Sequence, residues 1–234
     1  MSAQTILVPV EFPNPEPFPS TFVDAFSSCR VVLLGLDEEA DRLDEDERHR
    51  REIEAYHTLY NLAAQFVRHG ERVDVEYMVG EDAHDAWTRV AEERDVDALL
   101  VPKPLTTLAR ILVPVRDQKF AQPVADFLSG LNQDVLVHTT LFYAAESEED
   151  VETGEELLDG VREQLVEAGY PELRTDTEVV VGSDAPFEIG KAASDYDLIV
   201  MGETQDPSFE RVFGKTYESI ADETDHPIVV VRED

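Results

Sequence analysis

Hydrophobic residues follow two alternating patterns along the chain, short continuous runs and longer stretches with apolar positions three and four apart. The runs at residues 5–11, 29–36, 73–79 and 98–101 predict buried strands, and the stretches at 20–26, 48–69 and 83–94 predict helices. The alternation resumes with predicted strands at 111–115, 134–143, 178–181, 198–201 and 228–231, and with predicted helices at 120–130, 147–168, 186–194 and after 214. Strands that alternate with helices predict βαβ crossovers and a parallel sheet covered on both faces.

The helix predicted at 48–69 carries the longest apolar pattern. Its apolar positions recur at intervals of three and four and predict one buried helix face. These positions are Ile53, Tyr56, Leu59, Tyr60, Ala63, Phe66 and Val67.

The sequence contains a partial internal repeat. The run Ile-Leu-Val-Pro-Val occurs at 6–10 and again at 111–115, and Gly-Glu-Asp-Ala at 80–83 is matched by Gly-Ser-Asp-Ala at 182–185. Two matches in the same order favour duplication. After Val101 the first copy has only Pro102-Lys103-Pro104 and a short connection. We therefore predict a truncated domain at 1–104, a linker at 105–110 and a complete domain at 111–234, which pack together as a pseudo-dimer.

Composition adds a strong negative charge to this picture. The chain has 52 Asp and Glu against 19 Lys and Arg, a net charge of −33. A basic partner is one interpretation, but the acids are spread over both halves, which favours adaptation of the whole surface to a salt-rich cytoplasm. No basic face for nucleic acid is visible, and no apolar run approaches the length of a membrane span. Met1 leads almost directly into a strand without a secretion signal, and the lone Cys29 fits a reducing compartment as a buried residue.

Four stretches of the second copy form a recognisable set. They are Ile-Leu-Val-Pro-Val at 111–115, the Gly182 turn, Asp-Leu-Ile-Val-Met-Gly at 197–202, and the stretch from Gly214 to Pro-Ile-Val-Val-Val at 227–231. With these stretches, residues 110–234 resemble the universal stress protein family. The first copy resembles the same family over four strands only. The resemblance implies a three-layer α/β/α fold of the adenine nucleotide alpha hydrolase type in each domain, and ATP binding at the strand ends in many members.

The resemblance also implies which residues form a nucleotide site, and several of them differ here. ATP-binding members carry an acid after the first strand, where this chain has Arg116 following Pro114 and Val115. Gly202 matches the first glycine of the family's Gly-x-x-Gly turn, but Gln205 stands at the second. The later glycine is matched by Gly214 one residue early, followed by Lys215 and Thr216 instead of an immediate hydroxyl.

Two interpretations of these departures remain open. Arg116 and Lys215 could contact phosphate in a site of altered geometry, because guanidinium and ammonium groups both pair with phosphate oxygens. Alternatively, Gly202 and Gly214 remain as turn and cap residues of a site that no longer holds ATP, so that no cofactor is required. In the first copy Glu11 supplies the acid, but two prolines remove backbone donors from the loop. We predict no nucleotide there.

The remaining sequence offers no catalytic motif and no metal-ligand spacing, so we predict neither enzyme activity nor a metal site. Asp184 is interpreted as a helix N-cap. The functional hypotheses are an ATP-responsive stress module, an interaction protein with an unidentified partner, and a regulator of a membrane transporter, the last implied only by the family. Members commonly pair through their last strand, which predicts a homodimer through the final strand, from Pro227 to Val231.

Overall fold

The computed structural model describes residues 3–68, 72–80, 82–101, 103–105, 107–203 and 216–232. The strands in this part of the chain are Thr5–Glu11 (β1), Arg30–Asp37 (β2), Val73–Val79 (β3), Ala98–Val101 (β4), Arg110–Pro114 (β5), His138–Ala145 (β6), Thr175–Val181 (β7), Leu198–Glu203 (β8) and Ile228–Arg232 (β9). The helices are Ser20–Ala25 (α1), Glu45–Val67 (α2), Ala83–Glu93 (α3), Ala121–Gly130 (α4), Val151–Glu167 (α5), Ala185–Ala193 (α6) and Thr216–Glu223 (α7).

All nine described strands belong to one sheet, in the order β3-β2-β1-β4-β9-β8-β5-β6-β7. Every neighbouring pair is parallel except β4 and β9, which are antiparallel. The second half therefore contributes five strands in the order third, second, first, fourth and fifth. The first half contributes four strands in the order third, second, first and fourth. Four strands are what the sequence predicts, because the first copy stops after its fourth strand.

The prediction that the final strand forms a homodimer contact is wrong, because β9 is not an edge strand. Ile228 pairs with Val101 on one side and with Ile199 on the other, and Val230 pairs with Leu99 and with Met201. The described residues of the first half form no fifth strand beside β4, and the fifth strand of the second half takes that place. Both ladders of β9 are filled within one chain, which leaves no free edge for a second copy.

Helices cover both faces of the sheet, and the predicted three-layer α/β/α fold is confirmed. One apolar cluster contains residues of α1, α2, α4 and α5 with the sheet, and the other contains residues of α3, α6 and α7. Each cluster draws residues from both halves. Phe26, which follows α1, and Phe127 of α4 have ring centroids 6.3 Å apart. The lone Cys29 is fully buried among these residues, as its sequence context predicts.

The two halves begin their first strands with the same local contact. Asp97 precedes β4, donates its backbone N–H to Thr5 O and accepts the Thr5 N–H on Oδ2 at 2.6 Å. Asp197 precedes β8, donates to Arg110 O and accepts the Ala109 and Arg110 N–H groups on Oδ2. A carboxylate that accepts backbone N–H groups in this way fixes the start of a strand against its neighbour. The repetition of this contact agrees with the internal repeat.

Several predicted element boundaries differ from the observed ones, and two of them have a clear local reason. The strand predicted at 134–143 is β6, which begins only at His138. The preceding apolar residues are drawn into a turn in which Asn132 Oδ1 accepts the Asp134 N–H, while Arg174 donates to the Leu136 carbonyl. The helix predicted at 48–69 begins three residues earlier, because Asp44 caps it by accepting the Glu47 N–H at 2.9 Å.

The predicted apolar face of α2 is only partly buried. Leu59, Ala63 and Phe66 lie in the core, whereas Ile53, Tyr60 and Val67 are more than half exposed. The sequence pattern could not separate the two sets, because α2 contains apolar residues on more than one side.

A buried carboxylate joins β2 to the elements around it. The Asp37 side chain is fully buried and accepts hydrogen bonds from Ala40 N–H at 3.1 Å, Tyr77 Oη at 3.1 Å and Arg51 Nη1 at 3.2 Å. Burial, followed by the charge of Asp37 and its hydrogen bond, raises the pKa of Tyr77. The Tyr77 hydroxyl is a donor to Asp37, and the network links β2, β3 and α2.

We expect Asp37→Ala to lower the free energy of unfolding by about 3 kcal/mol, because it leaves a guanidinium and buried N–H groups without their acceptor. Urea unfolding at high salt measures this loss. Asp159→Ala is the control, since the ion pair of Asp159 with Arg162 is exposed and should contribute less than about 1 kcal/mol. Equal losses in the two variants would contradict the role assigned to Asp37.

Candidate functional site

A cavity lies where β5, β6 and β8 end. It has a volume of about 550 Å³, within the usual range for small-molecule sites of ~300–1,000 Å³. Ligands of parallel α/β sheets bind at the carboxyl ends of strands, where neighbouring connections leave in opposite directions. Strands β5 and β8 meet this condition, because β6 and β9 lie on their outer sides. The position of the cavity is therefore that of a ligand site.

Three predicted site residues lie together at this cavity. Pro114 ends β5, and Val115 continues along β6 by donating its N–H to Phe142 O at 2.8 Å. Both residues are half-buried, and Arg116 follows them as an exposed side chain at the rim. Strand β5 thus delivers an arginine to the mouth of the cavity, as the sequence predicts.

Gly202 also lines the cavity, but the space above it is occupied by a side chain. A Cβ added at Gly202 would lie 2.6 Å from Phe120 Cβ and 3.0 Å from Phe120 Cγ. Phe120 ends a 3₁₀ turn that begins at Gln118 and is capped by Asp117, whose Oδ1 accepts the Lys119 N–H. The glycine is therefore needed here for the close approach of an aromatic side chain.

Lys119 supports the position of Phe120 from outside. Its ammonium lies 4.7 Å from the centre of the Phe120 ring, and its Nζ is 3.8 Å from Asp117 Oδ2. A cation over an aromatic ring contributes about 0.5–1 kcal/mol at an exposed site. The turn and the stacked lysine together hold the ring against β8.

The charged groups at the rim are mainly acidic. Glu146 and Asp184 are exposed, Asp150 is half-buried, and Arg116 is the one cation among the described residues that line the cavity. Asp184 caps α6 by accepting the Phe187 N–H at 3.3 Å, which confirms its predicted role. Among the described lining residues, three carboxylates stand against one guanidinium, and this excess of negative charge opposes the approach of a polyphosphate.

A smaller cavity lies at the corresponding strand ends of the first half. It measures about 240 Å³, which is below the usual range for ligand sites. Glu11 and the proline-rich segment before α1 line it, with Phe18 among the lining residues. Lys103 donates to Ala221 O at 3.0 Å and is thereby held on the second half. Because β4 and β9 are antiparallel, the two cavities open at opposite edges of the sheet.

The structure does not place the remaining predicted site residues at the cavity. Gly214, Lys215, Gln205 and Pro102 lie outside the described residues, and Thr216 is described only as the first residue of α7. Sequence reasoning missed Phe120 as a site residue, because a phenylalanine before a helix resembles an ordinary core residue. Its one available signal was its position four residues after Arg116 in the loop that leaves β5.

Within the described ranges, no group of three or more His, Cys, Asp or Glu side chains is arranged to hold a metal ion. None of the helices in the same ranges is long and apolar enough to cross a membrane.

We expect Gly202→Ala to destabilise the protein by about 1–3 kcal/mol, because the added methyl collides with Phe120 in a packed layer. In a Phe120→Ala background the same change should cost much less, since the collision is gone. Thermal and urea unfolding of the two single variants and the double variant measure this coupling. Gly130→Ala is the control, because its new methyl would lie 3.5 Å from the nearest atom, Gln4 Cγ. Additive losses would contradict the proposed contact.

Comparison with known proteins agrees with this architecture. The family model of the universal stress protein family matches residues 107–232. No curated protein matches the chain. A universal stress protein from Archaeoglobus fulgidus DSM 4304 aligns over 100% of both chains with 13% identity and a TM-score of 0.66. A functionally unknown protein from Pseudomonas aeruginosa PAO1 aligns over 100% of this chain and 94% of its own, with 16% identity and a TM-score of 0.56.

These structural likenesses concern the fold, since the identities are low. The family match extends from the segment before β5 through the end of β9, and it includes Pro114 to Arg116 and Gly202. It covers more than half of the chain, and the chain belongs to the universal stress protein family.

Proposed function

We propose that the protein is a non-catalytic regulatory or interaction module of a stress response, and that the nucleotide site of its second half does not hold ATP in the family manner. The observation that carries this proposal is the contact of Phe120 with Gly202. Under this proposal the ring fills the space beside the glycine that the turn of ATP-binding family members would offer to a phosphate. The acid expected after the first strand of the domain is replaced by Arg116, which removes an acceptor suited to a ribose hydroxyl.

The polar groups of the cavity also support a role without catalysis. Glu146, Asp184 and Arg116 are exposed to solvent, whereas catalytic acids and bases are usually desolvated to shift their pKa values. The acidic composition is proposed to be an adaptation to a salt-rich cytoplasm, where a high negative charge keeps the protein dispersed.

Calorimetric titration with ATP at high salt tests the proposal. We expect a Kd weaker than about 1 mM for the unaltered protein. The Phe120→Ala variant should bind more tightly than the unaltered protein, because the space beside Gly202 is then open. Its unfolding temperature must be measured in parallel to show that it folds. Saturable binding by the unaltered protein that weakens in Phe120→Ala would contradict the proposal.

A second candidate function is an ATP-responsive switch, favoured by the volume of the cavity and by Arg116. No described residue forms a hydrogen bond or ion pair with this guanidinium, so it is available to a phosphate. In this case the unaltered protein binds ATP and Arg116→Ala weakens binding at least about tenfold. Arg72→Ala is the control, because it removes the same positive charge from an exposed position in the first half. It should leave ATP binding unchanged.

A further inference from the structure

The outer face of α2 carries an apolar stripe on an otherwise strongly charged protein. Ile53, Tyr60 and Val67 are 57%, 61% and 52% exposed, and they are spaced by seven residues, which is nearly two helical turns. His57 and Ala64 lie between them and are exposed as well. We call these five residues the α2 stripe. The flanking acids Glu52 and Glu54 lie to either side of it, so no carboxylate interrupts it.

The central ring of the stripe is held in position before any partner arrives. Tyr60 stacks on Tyr56, with ring centroids 6.2 Å apart and planes 25° apart, and Tyr56 in turn contacts Tyr77 at 5.8 Å. A side chain that is already ordered loses little conformational entropy when it is covered. Exposed aromatic anchors of this kind are typical of the centre of an interface.

The α2 stripe is symmetric about Tyr60. A two-fold axis through Tyr60 would place Tyr60 against its own copy and Ile53 against Val67 of the second copy. In a two-fold interface each residue pair occurs twice with the roles exchanged. Ile53 and Val67 can form such a pair, because each lies seven residues from Tyr60. The same axis brings the exposed Glu54 close to the exposed Arg68 of the second copy. Because the axis repeats each contact, two ion pairs between the copies result.

We infer that α2 is a self-association surface through which a second copy of this chain docks antiparallel, with Tyr60 on the two-fold axis. Strand β9 cannot serve this purpose, because both of its edges are paired within the chain. One pair of helices buries less surface than the ~1,200–2,000 Å² of a standard stable interface, so the dimer is weak and concentration-dependent. The charge of −33 on each copy opposes it, and salt screens that repulsion.

Sedimentation equilibrium over a concentration series in 1 M KCl, where the Debye length is about 3 Å, tests the association. We expect a reversible dimer whose population falls when the salt is lowered. Tyr60→Glu should raise the dimer Kd at least about tenfold, because it places a charge at the centre of an apolar contact. Leu173→Glu is the matched control, since Leu173 is fully exposed elsewhere and its change should leave the Kd unaltered. A monomer at every concentration would overturn the inference.

Cysteine cross-linking tests the geometry separately. Under mild oxidation Tyr60→Cys should form a covalent dimer, because residues on the axis of two helices ~8–10 Å apart come within disulfide range. Ile53→Cys should not cross-link to itself, since the two copies of residue 53 would lie about 21 Å apart along the helices. The native Cys29 is fully buried and does not compete. Efficient cross-linking of Ile53→Cys, which a parallel pair would give, would overturn the antiparallel arrangement.

Discussion

The antiparallel pairing of β4 with β9 is the contact on which the rest of the molecule depends. The first half ends with its fourth strand, so its sheet would have an open edge beside β4. The second half would present the outer edge of β9, an almost wholly apolar strand. Four residue pairs, from Ala98 with Val231 to Val101 with Ile228, close both edges at once. One strand thus completes the second half and covers the first.

This pairing also determines where ligands could bind. Within each half the strands are parallel, so their carboxyl ends lie at one edge of the sheet. Because β4 and β9 are antiparallel, the carboxyl ends of the two halves lie at opposite edges. Each half therefore has a cavity at its own strand ends, about 550 Å³ in the second half and about 240 Å³ in the first. Only the larger reaches the volume of an ordinary small-molecule site. The two halves therefore differ in the cavity that each presents, although the order of their first four strands is the same.

Charge and packing act at different places on this protein. The edge strand β3 carries charged side chains that form ion pairs, such as Asp74 with Arg30 and Glu76 with Arg94. The buried carboxylate of Asp37, in contrast, accepts several hydrogen bonds from neighbouring groups. The hydrogen bond from Arg30 is the main cause that lowers the pKa of Asp74. The α2 stripe differs from this charged sheet edge, because three large apolar side chains of one helix are exposed there.

The sequence by itself determined the alternation of strands and helices, the repeat, the family and the loss of the last strand of the first half. These follow from local patterns, since buried parallel strands read as apolar runs and amphipathic helices as spaced apolar positions. It also placed Pro114, Val115, Arg116 and Gly202 at one site, because they end neighbouring strands of one parallel sheet.

Only the tertiary structure decided which contacts those elements make. The sequence of β9 is equally apolar whether it faces a second copy or β4, so its partner could not be read from its residues. The pattern on α2 did not distinguish Leu59 from Tyr60, because burial depends on which side of the helix meets the sheet. Phe120 resembles a core residue in the sequence, and its contact with Gly202 arises from a loop and a strand distant in the chain. Local patterns are fixed by neighbouring residues, whereas partners are fixed by the packing of the whole chain.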